Sequence, residues 1–569
     1  MTPLISPATE RNWKRLHTDG RTRLTHRANK QNSQKTFLPV EYSSGKHLAF
    51  FRQLTVHVQT HAWSIPSVLY ALALELLHRQ ELLDKPHVRR VLQQYTPEQL
   101  PDLSGWDIPS DEWDLLGLVY QGLLSEGQKN RMGSYYTPQD IACQLTIDLD
   151  FSQGQCFLDP CCGSGAFLLA VPADSPCQLY GMDIDPIAVM IAKINLLLRY
   201  PEHEFDPQIY CMNFLTETAI PHNLNQYDYI VTNPPWGAAS ISRPYPAGIV
   251  SGESFSCFFV AAYRQLMRNG CIRFLFPTSL LHVRAHQDIR IFLQQHCRIE
   301  RIIRYDTMFS SVVTKCIAIC CRKASPTDSV VLQDVTGTHI LSLTDIIQTR
   351  YQAFCFLTRK DAEILSILRQ QGKYNLSHSG WALGIVTGDN RHKLLQTPQD
   401  GWEHIYTGRE ITRYIVKPAK NYLLYDRSQL QQAAPDSYYR APEKLVYKFI
   451  SGRPVFAYDS SGSLFLNSAN ILIPQIPGMS IKTVLALLNS ELFAFYYTRL
   501  FGDVKILRGN LSELLFPEIT SQQNQQLEAL TDAILQGDME QDTRLQDAIY
   551  TLYGLSQAQI QHVRQQIGK

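Results

Sequence analysis

Between residues 155 and 322, short apolar runs alternate with longer amphipathic stretches, and this alternation restricts the fold more than any other feature of the chain. The runs are CFLDP, QLYGMDID, QIYCM, YDYIVTNPP, CIRFLFP and CIAICC. Between them stand stretches with helical spacing, among them PIAVMIAKINLLLRY and FSCFFVAAYRQLMRNG, the second closing on Gly270 as a helix stop. Strand and helix in turn imply a mostly parallel sheet with helices on both faces. Such a sheet carries its ligands outside the carboxyl ends of the strands. The polar residues that end each run are therefore the ones to read for chemistry.

A chain of 569 residues exceeds what one core usually supports, so two large domains with smaller additions are expected. We divide it into a basic arm and helical N-terminal region (1–125), a catalytic domain (126–345), a target-recognition domain (346–520) and a helical tail (521–569). The net charge of +1 makes any nucleic-acid surface a local one. One such candidate is the arm from Arg11 to Lys46, with nine Lys or Arg against two acids, although a solvated or partly disordered arm is the more ordinary reading of such a charge run. The 13 cysteines form no tandem CxxC pairs, and many lie in apolar runs, which reads as reduced thiols in a cytoplasm. No metal is expected. No run approaches the ~18–20 apolar residues needed to span a bilayer, so no membrane association is expected.

The first chemistry-bearing stretch is FLDPCCGSGAFLLA, Phe157 to Ala170. A strand ends at Asp159, Gly163 and Gly165 flank Ser164, and a helix pattern follows, so the backbone can approach a ligand closely. A tight turn with no ligand is the bland alternative. Asp183 ends the next strand, 24 residues after Asp159, where doubly wound folds place an acid on ribose hydroxyls. Asp185, ahead of Pro186, reads as a helix N-cap. A third strand end places Asn213. The fourth places Asn233, Pro234, Pro235 and Trp236. Prolines stiffen that loop and donate no hydrogen bond. The Asn233 amide oxygen and the Pro234 carbonyl could both accept from one exocyclic amine, with Trp236 stacked on the ring that bears it. This suits a base taken out of a nucleic-acid stack.

In this order GSYYTPQDIA, FLDPCCGSGAFL, GMDID and NPPW resemble the N6-adenine methyltransferases of restriction-modification systems, of the TaqI-like, Eco57I-like and type I modification-subunit kind. The resemblance spans about residues 115 to 520. It implies a Rossmann-like seven-stranded α/β core that binds S-adenosyl-L-methionine, with a helical region before it and an α/β target-recognition domain after it. Tyr136, Thr137 and Pro138 match the motif covering the methionine end of the cofactor. Asp159, Cys162, Gly163 and Gly165 match the cofactor turn, Asp183 the ribose acid, and Asn213 stands where the family usually has an aspartate on the cofactor's adenine amine. Asn233 to Trp236 match the catalytic loop, with Trp in place of the commoner Tyr or Phe. The late aromatic that sandwiches the flipped base in TaqI-like enzymes is replaced by Cys320 and Cys321; Phe255 or Phe258 could pack near the cofactor or simply fill the core. The implied partner is double-stranded DNA with a specific site, together with restriction or defence subunits. Alternatives are transfer to an RNA base, a protein glutamine or a cytosine N4, or a silent DNA-binding subunit. No nuclease pattern stands out in residues 1–125.

In the C-terminal half, nine Lys or Arg against four acids lie between Arg409 and Arg453, interleaved with tyrosines. We take Arg409, Arg413, Lys444 and Lys448 as candidate DNA contacts. Tyrosine-rich packing and a solvated basic face are the alternatives.

Overall fold

The apolar runs pair as expected. The computed structural model describes residues 47–568 apart from 96, 98, 126, 130–136, 153, 217–226, 237–245, 247, 306–314, 348–349 and 502–504. The basic arm and Tyr136 lie outside the described residues. The chain divides into two compact units, one of residues 1–280, 285–327 and 333–337, the other of 281–284, 328–332 and 338–569.

In the first unit the sheet follows the order β3-β2-β1-β4-β5-β7-β6. Its strands are β1 (Phe157–Asp159), β2 (Leu179–Asp183), β3 (Gln208–Cys211), β4 (Tyr227–Thr232), β5 (Leu266–Pro277), β6 (Arg298–Tyr305) and β7 (Cys316–Arg322). The first five are parallel, and β7 runs antiparallel to both β5 and β6. Two further strands, β8 (Ser329–Asp334) and β9 (Gly337–Ser342), continue the sheet order to nine where the chain passes between the units. β6 is the strand the apolar runs did not reveal: its sequence RIERIIRY alternates charge with Ile, and only Ile299, Ile302 and Ile303 are buried.

The helices are α1 (Leu48–His61), α2 (Ile65–Arg79), α3 (Pro86–Leu92), α4 (Leu115–Leu123), α5 (Gln139–Gln144), α6 (Ala166–Ala170), α7 (Pro186–Arg199), α8 (Ser254–Gln265) and α9 (Gln287–His296). Asp185 caps α7 by accepting the Ile187 N–H at 3.0 Å, with Pro186 at the first helical position. One helix end differs from the expectation. α8 stops at Gln265 and the chain enters β5 at once, so Gly270 is a strand residue. A Cβ there would stand 2.9 Å from the Asp228 carbonyl; the glycine serves close backbone approach and not a helix stop. The N-terminal helices share one buried core with the sheet, through residues such as Leu72, Leu116 and Ile191.

Among its described residues the second unit is built on three small sheets. A pair joins β10 (Gly372–Tyr374) to β18 (Phe516–Pro517). A three-stranded sheet orders β13 (Asn421–Leu423), β12 (Glu403–Tyr406) and β16 (Leu464–Phe465). A four-stranded antiparallel sheet orders β11 (Gly380–Leu383), β17 (Ala469–Ile473), β14 (Lys444–Lys448) and β15 (Phe456–Asp459). Around them lie α10 (Arg359–Gln371), α11 (Ile481–Asn489), α12 (Glu491–Leu500) and the tail helices α13 (Ser521–Leu535), α14 (Gln541–Leu552) and α15 (Gln557–Ile567). Two glycines have a packing reason. A Cβ on Gly384 would lie 2.2 Å from the Leu466 carbonyl, and one on Gly408 would lie 2.5 Å from that of Ser468. Both segments press on the same turn.

Candidate cofactor and catalytic site

The strand order reverses between β1 and β4, so the switch point of the sheet lies between those two strands. A cavity at these ends is lined by Thr137, Asp159, Cys162, Gly163, Asp183, Asn233 and Pro235, seven of the residues picked out by sequence. They come from four separate parts of the chain: three follow parallel strands that end on one edge, and Thr137 comes from the segment just before α5.

The strand ends are tied to one another. Thr232, the last residue of β4, donates its hydroxyl to Asp159 Oδ1 at 2.6 Å, and the Cys161 N–H donates to the same oxygen at 3.1 Å. Asp183 binds across to the β1 turn: its Oδ2 accepts the Gly163 N–H at 2.9 Å and its Oδ1 the Asp185 N–H at 2.9 Å. Burial pushes the Asp159 carboxyl up to about 7, against the pull of Thr232 and Cys161. Asp183 is pushed up as well, by burial and in spite of its backbone donors. The Cys161 and Cys162 thiols are pushed up by burial, which keeps them neutral and unreactive.

Both glycines of the turn have positive φ, +51° at Gly163 and +97° at Gly165. They do different things. A Cβ on Gly163 would meet nothing within 4 Å, so that residue faces open space, whereas Gly165 packs against Ala192 of α7 and begins α6. In the catalytic loop the Asn233 amide nitrogen donates to Thr137 Oγ1 at 3.3 Å. Ser254, which opens α8, donates to the Pro235 carbonyl. Beyond the loop, Asp288 accepts the N–H groups of Val250 and Ser251 at 2.9 and 2.8 Å.

Not every expected residue lines the cavity. Gly165, Pro138, Asn213, Pro234 and Trp236 stand outside the lining. The Asn213 amide oxygen accepts the Leu215 N–H at 3.0 Å, turned onto its own loop. Trp236 is half-buried against the core, and its indole N–H is buried without a partner among the described residues. Other residues enter that the sequence did not reveal as ligand-facing. Gly117, Tyr120 and Gln121 come from one face of α4, and Ile184, Met212 and Phe214 follow strand ends. Ile184 is 66% exposed, an unusual state for an isoleucine at a strand end. Phe214 stacks on Phe258 with ring centroids 6.0 Å apart. Of the two phenylalanines considered, Phe258 thus reaches the cavity, and Phe255 packs inward on Phe276 and His286. The i, i+3, i+4 spacing of 117, 120 and 121 was the signal available in the sequence.

These groups fit a cofactor with a charged end, a sugar and a flat ring. Carboxylates and open backbone lie at Asp159, Gly163 and Asp183, while Ile184, Phe214 and Phe258 offer apolar faces.

The basic candidates of the second unit separate into two kinds. Lys444 is corrected: it is 0% exposed, donates to the Tyr439 carbonyl at 2.6 Å and pairs with Asp459 at 2.5 Å, so it cannot reach a phosphate. Burial holds its ammonium below the ordinary lysine value, against the attraction of Asp459. Arg413 stays partly exposed but is already paired. Its guanidinium makes a two-point pair with Asp542 of α14, at 2.9 and 3.0 Å, and lies over the Tyr414 ring. Arg409 is exposed and Lys448 half-exposed.

Residues 111–342 match the family model of N-6 DNA methylases, and residues 403–514 that of the TaqI-like C-terminal specificity domain. The type II methyltransferase M.VspI of Vibrio sp. (strain 343) is 29% identical over 315 residues, covering 52% of this chain and 74% of that protein. The methylase subunit of the type I restriction enzyme EcoEI of Escherichia coli is 26% identical over 214 residues, 34% of this chain and 43% of that one. The chain thus spans about three quarters of the first relative and less than half of the second. In fold it is similar to the type IIL restriction-modification enzyme MmeI, solved in complex with DNA, with a TM-score of 0.54 at 14% identity over 93% of this chain and 94% of that one. With both family models matched in chain order on a sheet whose strand ends meet at one cavity, residues 111–342 are an N-6 DNA methylase domain and residues 403–514 a TaqI-like specificity domain, and the chain is similar to the DNA methyltransferases of restriction-modification systems.

Proposed function

We propose that this chain transfers a methyl group from S-adenosyl-L-methionine to the N6 amine of an adenine flipped out of double-stranded DNA, at a specific site. The observation that carries the reading is that Asn233 and the Gly163 turn line one cavity. Asp159, Cys162, Gly163 and Asp183 would hold the cofactor, with Thr137 and Pro138 beside its methionine end; Tyr136 belongs to that group by its motif alone. When bound, the cofactor supplies an electrophilic methyl group.

The remaining chemistry belongs to the chain. With its amide nitrogen on Thr137, Asn233 offers its amide oxygen to a proton of the base amine. The Pro234 carbonyl offers a second acceptor on a loop that Pro235 and Ser254 hold still. Two acceptors draw the amine lone pair out of the ring and towards the methyl donor, so placement and fixed dipoles do the work. No cysteine takes part, because buried neutral thiols at 161 and 162 are poor nucleophiles.

Specificity is assigned to the second unit, with Arg409 and Lys448 on the DNA backbone. A relative is named as the methylase subunit of a type I restriction enzyme, and by that likeness we assign restriction or defence subunits as partners. The test is labelled S-adenosyl-L-methionine offered to the purified chain with duplex DNA, RNA and protein pools. Label should enter duplex DNA and map to adenine N6. Label in RNA or protein, or in cytosine, would overturn the reading. A fluorescent base analogue at the target position then tests Trp236: Trp236→Ala should lose about 1–3 kcal/mol of stacking. If it flips the base as the parent does, Trp236 is only a packing residue.

A further inference from the structure

One wall of the cavity comes from α4, outside the strand-end motifs, and its N-cap is unusual. Asp114 is fully buried, at 0% exposure. A buried carboxylate is costly unless hydrogen-bonded, and an N-cap needs only one accepting oxygen. Asp114 uses both. Its Oδ1 accepts the Gly117 N–H at 2.9 Å and Asn195 Nδ2 at 2.7 Å, and its Oδ2 accepts Ser164 Oγ at 2.5 Å. Asn195, on α7, also donates to the Ser164 carbonyl at 2.9 Å. Three elements therefore meet on one side chain. Gly117 allows it: a Cβ there would stand 2.3 Å from Asp114 Oδ2 and 2.6 Å from Ser164 Cβ.

The turn after β1 is thus held from two sides, at Gly163 by Asp183 and at Ser164 by Asp114. One turn along α4, the Tyr120 hydroxyl donates to Asp185 Oδ2 at 2.5 Å, so the turn after β2 is also bound to this helix. Gly117, Tyr120 and Ser164 line the cavity and Asp114 does not.

We propose that Asp114 is a positioning residue of the cofactor site: it holds Ser164 from α4 and so fixes the Gly163–Gly165 turn in its binding shape, without touching the cofactor. The proposal rests on the reading of this cavity as the cofactor site. The N-terminal helical region thereby becomes a working part of cofactor binding.

Titration calorimetry of the full chain with S-adenosyl-L-methionine and with its demethylated product tests both levels. If the parent binds neither, the cofactor reading fails, and this proposal with it. If the parent binds, Asp114→Ala and Ser164→Ala should each weaken binding on the order of tenfold, since each breaks a buried hydrogen bond from one side. The double variant should be no worse than the worse single one. Asp114→Asn should stay within about threefold of the parent, because its oxygen still accepts from Gly117 and Asn195 and its amide can donate to the Ser164 hydroxyl. Amide exchange over residues 161–166 without cofactor should quicken in Ser164→Ala while the sheet strands stay protected. KM for the cofactor should rise by more than kcat falls. Should Asp114→Ala fail to fold, Ser164→Ala decides alone. Parent-like affinity in folded Ser164→Ala overturns the proposal, as do additive losses in the double variant.

Discussion

The strand-end loops of the first unit and the basic stretch of the second were both singled out by residue type and spacing, and they fared differently. Seven of the expected residues of the first unit line one cavity. Of four cations in the second, Lys444 is buried on Asp459 and Arg413 is held by Asp542. A loop at a strand end is placed by the topology of the sheet, so its position follows once strands and helices alternate. A cation is placed by whichever acid reaches it. For Arg413 that acid lies 129 residues further along the chain. Order along the chain therefore gathered its residues at one cavity, whereas charge density did not mark a set of free cations.

The largest expected effect bears on the first region. Asn233→Ala should lower kcat on the order of 10²–10³-fold or more, as loss of a fixed polar group at a reacting centre does. Cofactor affinity by calorimetry should hold, because the turn that would bind it lies on β1. A parallel loss of both would merge the two halves of the site.

Next comes the second region. Lys444→Met should cost about 3–5 kcal/mol in denaturant unfolding of the second unit, because Asp459 is left buried without its cation. Unchanged stability would restore Lys444 to the free cations.

A pH experiment follows. The folded Asp159 carboxyl titrates at about 7 and its ordinary value is 3.8, so the folded state binds the extra proton between them. Stability contributed by this group is therefore present below about pH 4 and lost as pH rises towards 7. Asp159→Asn should remove that fall when unfolding free energies of the two cofactor-free proteins are compared across the window. Identical pH profiles would mean that the carboxyl is not raised.

The smallest effect separates the two kinds of cation. Arg409→Ala and Lys448→Ala should each reduce the salt slope of DNA binding by about 0.9 for every phosphate left without its cation. Arg413→Ala should instead loosen α14 and lower the melting temperature, with the slope held. A reversed pattern would mean that the Asp542 pair opens on DNA.

Much of the site was legible because local signals and global fold agreed. Asp159, Asp183 and Asn233 each follow an apolar run, and each sits at or just beyond a strand end. Asp185 ahead of Pro186 marks the start of α7 where it stands. Other features were not legible. β6 is half charged, so its period is blurred. Gly270 has the look of a helix stop but lies where β5 passes close to Asp228. Asn213, at a strand end like the others, turned its oxygen to the Leu215 N–H.

The sequence by itself determined which residues end strands and begin helices, because hydrophobic period, capping groups and prolines act within a few residues of where they occur. From that came the parallel sheet, its ligand edge and the order of the motifs along it. The tertiary structure alone decided that α4 is tied to the turns after β1 and β2 through Asp114 and Tyr120, that Gly384 and Gly408 press on one turn, and that Lys444 and Arg413 are paired with acids. Each of these joins residues far apart in the chain or hides them from solvent. Its energy comes from desolvation and close approach, which exist only once the chain has closed on itself.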